Sequence, residues 1–230
     1  MPERAAGVIT GSARLAALAG RAGPAPSSRR EQEPSPALCE MCAEMLADPH
    51  RHTLDLQDHR VMCVCRACSI LLDSEAAGGG HFRLIPTRRL RLEGFRLEDH
   101  TWDSLRIPVE LAYFFFDSSQ DRVRAFYPSP MGPTESQLAF GMWTDLTAAN
   151  PILAGMTPDV EALLVDRSRS RRNYWIVPID ECYRLVGLMR IHWKGLAGGK
   201  EVWEKIDGYF ETLGRRSQPA PGPVADNKGG

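Results

Sequence analysis

Five of the six cysteines lie close together in the first third of the chain, and their spacing is typical of a metal-binding centre. Cys39 and Cys42 form one C-x-x-C pair, and Cys65 and Cys68 form a second. Each pair wraps a tight turn that aims two sulfurs at one point, so two pairs complete a tetrahedral shell of thiolates. The sequence therefore predicts a four-cysteine metal site at Cys39, Cys42, Cys65 and Cys68.

Cys63 leaves one alternative open for the ligand set. It precedes Cys65 by two residues, so both side chains would point to the same side of an extended strand, and Cys63 could replace Cys65. The equal spacing of the two pairs favours Cys65, and Cys63 is then a small buried apolar side chain. His50, His52 and His59 lie between the pairs and are interpreted as solvated loop residues, because four cysteines already fill the shell.

Zinc is the metal that such a closed thiolate site predicts, and iron is the alternative. Iron in the same shell would give a rubredoxin-type electron carrier. Rubredoxin sites usually have glycine directly after the second cysteine of each pair, whereas this chain has Ala43 and Ser69 there. The double pair also disfavours a thiol–disulfide enzyme, which needs a single C-x-x-C at a helix N-terminus.

Composition indicates an ordinary globular protein. Hydrophobic residues make up 43% of the chain and charged residues 25%, and the formal net charge is −1. This charge gives no global attraction to nucleic acid or to an anionic membrane. The sequence contains no apolar run long enough to span a membrane and no continuous apolar core of a secretory signal. We therefore expect a cytoplasmic, reducing compartment, in which clustered cysteines bind metal more often than they form disulfides.

The chain divides by composition into four parts. Residues 1–36 and 215–230 are rich in small residues and proline, and they are predicted to be disordered tails because they cannot bury enough apolar surface. Residues 37–77 form a zinc-ribbon-like module, and the glycines at 78–80 form a flexible joint. Residues 82–214 form a second domain.

The second domain combines strands and helices, so the predicted fold class is α+β, with a small four-cysteine module in front of it. Strands are predicted at 51–56 and 60–64 in the module, and at 109–116, 122–127 and 174–179 in the domain. Helices are predicted to begin at the T-x-x-Q capping box of Thr134, at Thr157, at Asp180 and at Lys200. Segment 128–133, with sequence PSPMGP, is predicted to be a stiff loop.

Sequence motifs for nucleotide binding, hydrolysis or metalloprotease activity are missing, so no catalytic residue is assigned. Two groups of arginines raise nucleic-acid binding as an alternative. They are Arg83, Arg88, Arg89, Arg91 and Arg96 in the first group, and Arg167, Arg169, Arg171 and Arg172 in the second. Leucines alternate with the first group, which favours one face of a half-buried element over an RNA- or DNA-binding surface.

Several strings carry a resemblance to a known family. They are CEMC at 39–42, WDSLRIPV at 102–109, AFYPSP at 125–130 with TES at 134–136, and VPIDECY at 177–183. Together they resemble an uncharacterised bacterial family whose genes occur beside genes for high-affinity nickel–iron hydrogenases, chiefly in actinobacteria. The resemblance covers about residues 37–213. It implies a cytoplasmic role in the assembly, maturation or electron supply of a hydrogenase, and it implies no catalytic residue.

These observations lead to three functional hypotheses. The first is a non-enzymatic accessory protein, in which zinc holds the module and segment 128–133 docks a hydrogenase subunit or maturation factor. The second is a rubredoxin-like iron electron carrier. The third is a zinc-dependent nucleic-acid binder, for which the net charge of −1 provides no global attraction.

Overall fold

The computed structural model describes residues 37–74, 76–138, 141–195 and 198–221. The predicted tail 1–36 lies outside the described residues, as does the end of the predicted C-terminal tail, 222–230. The described residues form a mixed α+β fold, which confirms the predicted fold class.

Strands and helices are numbered here in chain order. The strands are β1 (Arg51–Asp55), β2 (Arg60–Val64), β3 (Phe82–Leu84), β4 (Leu90–Arg91), β5 (Leu111–Asp117), β6 (Arg122–Ser129), β7 (Gly132–Ser136), β8 (Glu161–Asp166), β9 (Asn173–Pro178) and β10 (Gln218–Pro219). The helices are α1 (Arg66–Leu71), α2 (Asp99–Ser104), α3 (Met142–Ala149), α4 (Ile179–His192) and α5 (Gly199–Arg216).

A seven-stranded sheet forms the centre of the domain, in the order β10-β4-β9-β8-β5-β6-β7. Neighbouring strands are antiparallel except β10 and β4, which pair in parallel. Tyr113 and Phe115 of β5 belong to the core that α4 and α5 cover, whereas Ala112 and Phe114 belong to the core beneath α2 and α3. The predicted strand at 109–116 is apolar on both faces because both faces of the sheet are covered.

Helix α4 shows how the sequence pattern directs packing. Cys182, Leu185, Val186 and Met189 recur at the spacing of one helix face, and all four are buried against the sheet. Fully burying such a side chain contributes about 1.5–3 kcal/mol to folding. The thiol of Cys182 is therefore a core group, as predicted.

The cysteine module has its own three-stranded sheet, in the order β2-β1-β3. β1 and β2 correspond to the two strands predicted in the module, and they form a hairpin in which His52 pairs with Cys63 and Leu54 pairs with Val61. The chain then passes through a short 3-10 helix, Ala77–Gly80, where the sequence predicts a flexible joint, and returns as β3 to pair with β1. The sheet of the module thus extends to Leu84, beyond the boundary predicted at residue 77.

The module packs against the domain through apolar and charged contacts. Leu54 and Ile85 belong to the same core as α4 and α5. Arg83 of β3 donates to Asp159 Oδ2 at 2.6 Å and to the Pro158 carbonyl at 3.2 Å. Asp159 is almost fully buried, and its Oδ1 also accepts from the Ser118 N–H at 2.8 Å. This carboxylate therefore joins the last strand of the module to the central sheet.

The prediction of a helix that begins at Thr134 is wrong for the residues before Met142. Residues Gly132–Ser136 form β7, in which Thr134 pairs with Tyr127 and Ser136 pairs with Ala125, and the helix begins only at Met142. A capping box is a local signal that satisfies two backbone donors. Pairing with β6 satisfies the backbone of the whole segment, so the strand prevails.

The prediction of a helix that begins at Thr157 is also wrong. Residues 158–160 form a turn, and Glu161–Asp166 forms β8 between β9 and β5. Every residue of β8 is buried, including the charged residues at its two ends. A strand that is covered on both faces shows no alternation in its sequence, so periodicity could not distinguish it from a helix.

The C-terminal tail was predicted to begin at Arg215, and here too the structure differs. Helix α5 continues to Arg216, and Gln218–Pro219 adds β10 to the edge of the central sheet beside β4. None of the helices in the described part of the chain combines the length and the apolarity that crossing a membrane requires.

Candidate metal centre

The first cysteine pair lies in a small hairpin at the start of the described chain. Leu38 and Met45 form an antiparallel bridge, the Cys39 N–H donates to the Glu44 carbonyl at 2.7 Å, and the Ala43 N–H donates to the Cys39 carbonyl at 2.8 Å. Ala43 has a φ of 61°, a conformation that glycine adopts more readily. The tight turn after Cys42 therefore forms here with alanine in the usual glycine position.

The second pair lies at the junction of β2 and α1. Cys65 is the N-cap residue of α1, and its sulfur accepts a hydrogen bond from the Cys68 N–H at 3.5 Å. This cap replaces the hydroxyl or carboxylate that usually satisfies the first free N–H groups of a helix. The short helix holds Cys68 one turn further on, so that both sulfurs face the first pair.

The structure brings the four predicted cysteines together. The sulfurs of Cys39, Cys42, Cys65 and Cys68 all lie within 4.8 Å of one another, and those of Cys42 and Cys65 are 3.6 Å apart. A tetrahedral zinc–thiolate centre places its sulfurs about 3.8 Å apart, whereas a disulfide requires about 2.05 Å. The donor set therefore fits one metal ion in a closed shell.

Burial differs among the four thiols. Cys39, Cys65 and Cys68 are buried with Val64 and Leu72 in a small apolar cluster of the module, whereas Cys42 is exposed. An apolar surrounding on three sides keeps water away from the sulfurs. Among the residues that the structure describes, the centre is exposed at Cys42, where a solute or a partner could reach it.

The pKa values of the thiols in this cluster are shifted in opposite directions. Burial opposes ionisation of Cys39, but backbone N–H groups, first those of Cys65 and Cys42, lower its pKa to about 6. For Cys68, hydrogen bonding to Cys42 together with burial raises the pKa to about 12. Four thiolates cannot coexist at this distance without a cation, so the cluster retains protons that a bound metal ion would displace.

Glu40 connects the turn of the first cysteine pair to the β1–β2 hairpin through hydrogen bonds. Its backbone N–H donates to the Cys63 carbonyl at 3.0 Å, and its Oε2 accepts from the Cys63 N–H at 2.6 Å. Its other oxygen accepts from Arg60 at 3.2 Å. The turn that carries Cys39 and Cys42 is thereby fixed along the free edge of β2, next to the second pair.

Cys63 itself belongs to a different cluster. Its sulfur groups with ring nitrogens of His50 and His52, all within 4.8 Å of one another, and it is not a member of the four-cysteine group. His52 lies in β1 rather than in a loop, and it is hydrogen-bonded to Asp180 of α4. The interpretation of His52 as a solvated loop residue is therefore wrong, and the structure gives no support to Cys63 as a replacement for Cys65.

One feature of the sequence points to this second cluster. His50 and His52 are two residues apart, so an extended chain presents both on one face. Cys63 lies opposite His52 in the hairpin register, which the sequence alone does not fix. Asp180 is distant in sequence and meets His52 only through packing of α4.

The two arginine groups are largely engaged in ion pairs within the protein. Of the first group, three arginines pair with acidic residues of the domain: Arg83 with Asp159, Arg88 with Glu161, and Arg89 with Glu181. Of the second group, Arg167 and Arg172 pair with Asp99, and Arg169 and Arg171 pair with Asp207. Such pairing removes most of the positive potential that nucleic acid would require.

Exposed large apolar side chains concentrate in the module. Among the described residues, those exposed in the module are Leu38, Met41, Met45, Ile70 and Leu71, and those exposed elsewhere are Met131 and Ile191. Met131 is 92% exposed at the turn between β6 and β7, where the sequence predicts a stiff loop. Segment 128–133 in fact comprises the end of β6, a two-residue turn and the start of β7, with Ser129 Oγ donating to the Gly132 carbonyl at 2.8 Å.

Comparison with known proteins identifies a family for most of the chain. A family model described as "Family of unknown function (DUF5947)" matches residues 38–217, which include both cysteine pairs and almost all of the described fold. No curated protein and no solved structure matches the chain.

Proposed function

The chain belongs to the DUF5947 family of proteins of unknown function, and we propose that it is a non-enzymatic accessory protein with a structural zinc site. The observation that carries the proposal is the convergence of four cysteine sulfurs within 4.8 Å, three of them buried. A closed shell of four protein ligands leaves no position for a substrate, which is the arrangement of structural rather than catalytic zinc sites. The zinc ion holds the first turn, the hairpin and α1 in one unit.

The identity of the metal is directly testable. We expect the protein, purified and dialysed against a chelator, to retain about one zinc ion per chain and to be colourless, because a single thiolate shell binds one zinc ion tightly. Metal analysis and the visible absorption spectrum of the same sample measure this. Expression with balanced zinc and iron supplies is the control, and a red, iron-loaded protein under those conditions would contradict structural zinc.

An iron-based electron carrier is the second candidate, and the exposure of Cys42 is the observation that favours it. Electron transfer to a partner requires a metal ligand near the surface, and Cys42 is exposed while the other three cysteines are buried. The same exposure is compatible with a structural zinc site, whose ligands need not all be buried. The colour and the metal content of the purified protein decide between the two functions.

Nucleic-acid binding receives little support from the described residues. Most members of both arginine groups have carboxylate partners within the protein, and the formal net charge of the chain is −1. A protein that binds phosphates releases counterions and needs unpaired cations for that purpose. We therefore propose a protein partner rather than DNA or RNA.

The module is the surface that we propose for docking, together with the hairpin turn at Met131. Exposed apolar side chains that gather in one region mark protein interaction sites more often than isolated ones do. Leu71 is 73% exposed on α1 and Met131 is 92% exposed. The resemblance to the family encoded beside hydrogenase genes suggests a subunit or maturation factor of a nickel–iron hydrogenase as the partner, in the cytoplasm.

Complementation in the native host tests both the surface and the partner. We expect Leu71→Ser and Met131→Ser each to lower hydrogenase activity at least about fivefold, because an interface anchor typically contributes more than 1 kcal/mol. Ile191→Ser is the matched control, because Ile191 is 74% exposed on α4 and lies outside the proposed surface. All three variants should accumulate to the wild-type level.

Each outcome of that experiment has a defined meaning. Wild-type hydrogenase activity in both variants would remove these side chains from the docking surface. An equal loss of hydrogenase activity in Ile191→Ser would show that the effect is not specific to the proposed docking surface. Normal hydrogenase activity in a strain that lacks the whole gene would exclude the hydrogenase role and leave the zinc site unaffected.

A further inference from the structure

The β1–β2 hairpin has a second group of metal-binding side chains on the face opposite the four cysteines. Val64 of β2 packs in the apolar cluster with Cys39, Cys65 and Cys68. The neighbouring residue in the strand, Cys63, alternates to the other face. There its sulfur lies within 4.8 Å of ring nitrogens of His50 and His52.

The hairpin register accounts for this meeting. His52 and Cys63 are directly opposed, and such cross-strand partners have Cβ atoms about 4.5–5.5 Å apart. His50 precedes His52 by two residues, and the two imidazole rings are nearly perpendicular, with centroids 5.0 Å apart. His52 and Cys63 thus converge from facing positions of the sheet, and His50 lies directly before β1.

A carboxylate from the domain orients one of these histidines. Asp180 Oδ2 lies 2.7 Å from His52 Nδ1. With Nδ1 occupied by Asp180, Nε2 is the nitrogen of His52 that remains for a metal ion. Metal-binding histidines characteristically place their other nitrogen against a carboxylate in this way, which fixes the tautomer and increases the basicity of the ligand.

His50 provides an independent observation that points to a ligand. Its Nε2 is shielded from solvent and has no hydrogen-bond partner among the described residues. Buried polar atoms without a partner are rare, because each costs the free energy of the hydrogen bonds it has lost to water. A cation bound through Nε2 would satisfy that nitrogen, whereas packing of the two rings alone leaves it without a partner.

We propose that His50, His52 and Cys63 bind a borderline-soft divalent cation such as zinc, with Asp180 as a positioning residue. This site goes beyond the proposed function and is independent of it. On binding, Cys63 releases its thiol proton to solvent and coordinates as a thiolate. Three protein ligands leave one position of a tetrahedron open for water or an external ligand, which the closed four-cysteine centre cannot offer.

Cobalt titration of the full-length protein tests the site. After chelator dialysis, which leaves zinc in the four-cysteine centre, we expect the wild type to bind one further equivalent of Co²⁺. The spectrum should show a sulfur-to-cobalt absorption band from Cys63. His52→Ala and Cys63→Ala should each lose this equivalent and keep the tightly bound zinc, which reports that the module is folded. His59→Asn is the matched control, because His59 is an exposed histidine of the same hairpin with a φ of 51° that asparagine tolerates.

Asp180→Asn keeps the proposal testable if the ligand variants fail to fold. It retains all three ligands, so the sulfur-to-cobalt band should persist while the affinity for Co²⁺ falls about 10- to 100-fold, as is typical when the partner of a metal-binding histidine is lost. The proposal is overturned if the wild type binds no further Co²⁺, or if its cobalt spectrum lacks the sulfur band. Binding of the further equivalent by both His52→Ala and Cys63→Ala as in the wild type would also overturn it.

Discussion

Replacing Cys65 by serine is expected to release the tightly bound metal ion and to unfold the module. Cys65 is both a member of the four-sulfur cluster and the N-cap of α1, so the substitution removes a ligand and weakens the start of the helix. Structural zinc contributes on the order of 10 kcal/mol to small zinc domains, which is as large as the whole stability of a typical domain. Metal analysis and hydrogen exchange over residues 37–84 measure the two effects.

The central sheet should survive this substitution. Its strands and helices α4 and α5 form cores to which the four cysteines do not belong. We therefore expect most of the helical circular dichroism to persist in Cys65→Ser. Cys63→Ser is the matched control, because Cys63 lies outside the four-cysteine group. Loss of the tightly bound metal from Cys63→Ser to the same extent as from Cys65→Ser would show that the ligand set is wrongly assigned.

Replacing Asp159 by alanine is expected to destabilise the protein by about 2 kcal/mol, because its donors lose a buried charged acceptor while Arg83 is partly exposed and can be hydrated. Asp159 is almost completely buried, and it accepts from Arg83 at 2.6 Å and from the Ser118 N–H at 2.8 Å. The Ser118 N–H would lose this acceptor, and Arg83 would keep only its contact with the Pro158 carbonyl. Denaturant unfolding of the zinc-loaded protein gives the change in the free energy of unfolding.

An exposed ion pair provides the comparison for Asp159. Glu204 pairs with Lys200 at 3.4 Å, one helical turn apart, and both side chains are largely exposed. Glu204→Ala should change the free energy of unfolding by no more than about 0.5 kcal/mol, since solvent screens such pairs. Equal effects of the two substitutions would mean that Asp159 does not join the module to the domain as described.

The parts of the fold that could be predicted from the sequence are those determined by local patterns. The hairpin of the module, the apolar strand β5 and the buried face of α4 all follow from periodicity and turn residues within single segments. The strands that were predicted to be helices, β7 and β8, depend on partners. Their local sequences allow both structures, and only pairing with β6, or with β5 and β9, selects the strand.

The same distinction explains which candidate sites were visible. The spacing of Cys39, Cys42, Cys65 and Cys68 places each pair in one turn, so the sequence could indicate the four-cysteine cluster. The second group requires the register that sets Cys63 opposite His52, and the packing that brings Asp180 from 128 residues away. Neither the register nor the packing is encoded in a short motif.

The two faces of the β1–β2 hairpin imply cooperativity between the two proposed metal sites. The strand that ends at Cys65 also carries Cys63, so an ion on one side restricts the conformations of the backbone that holds the ligands on the other side. An ion that binds to an already ordered hairpin loses less conformational entropy, which raises its affinity. By thermodynamic linkage the enhancement is reciprocal, so each ion increases the affinity for the other by the same factor. The order in which the cell supplies the two ions would then change the rate of loading but not the final occupancy.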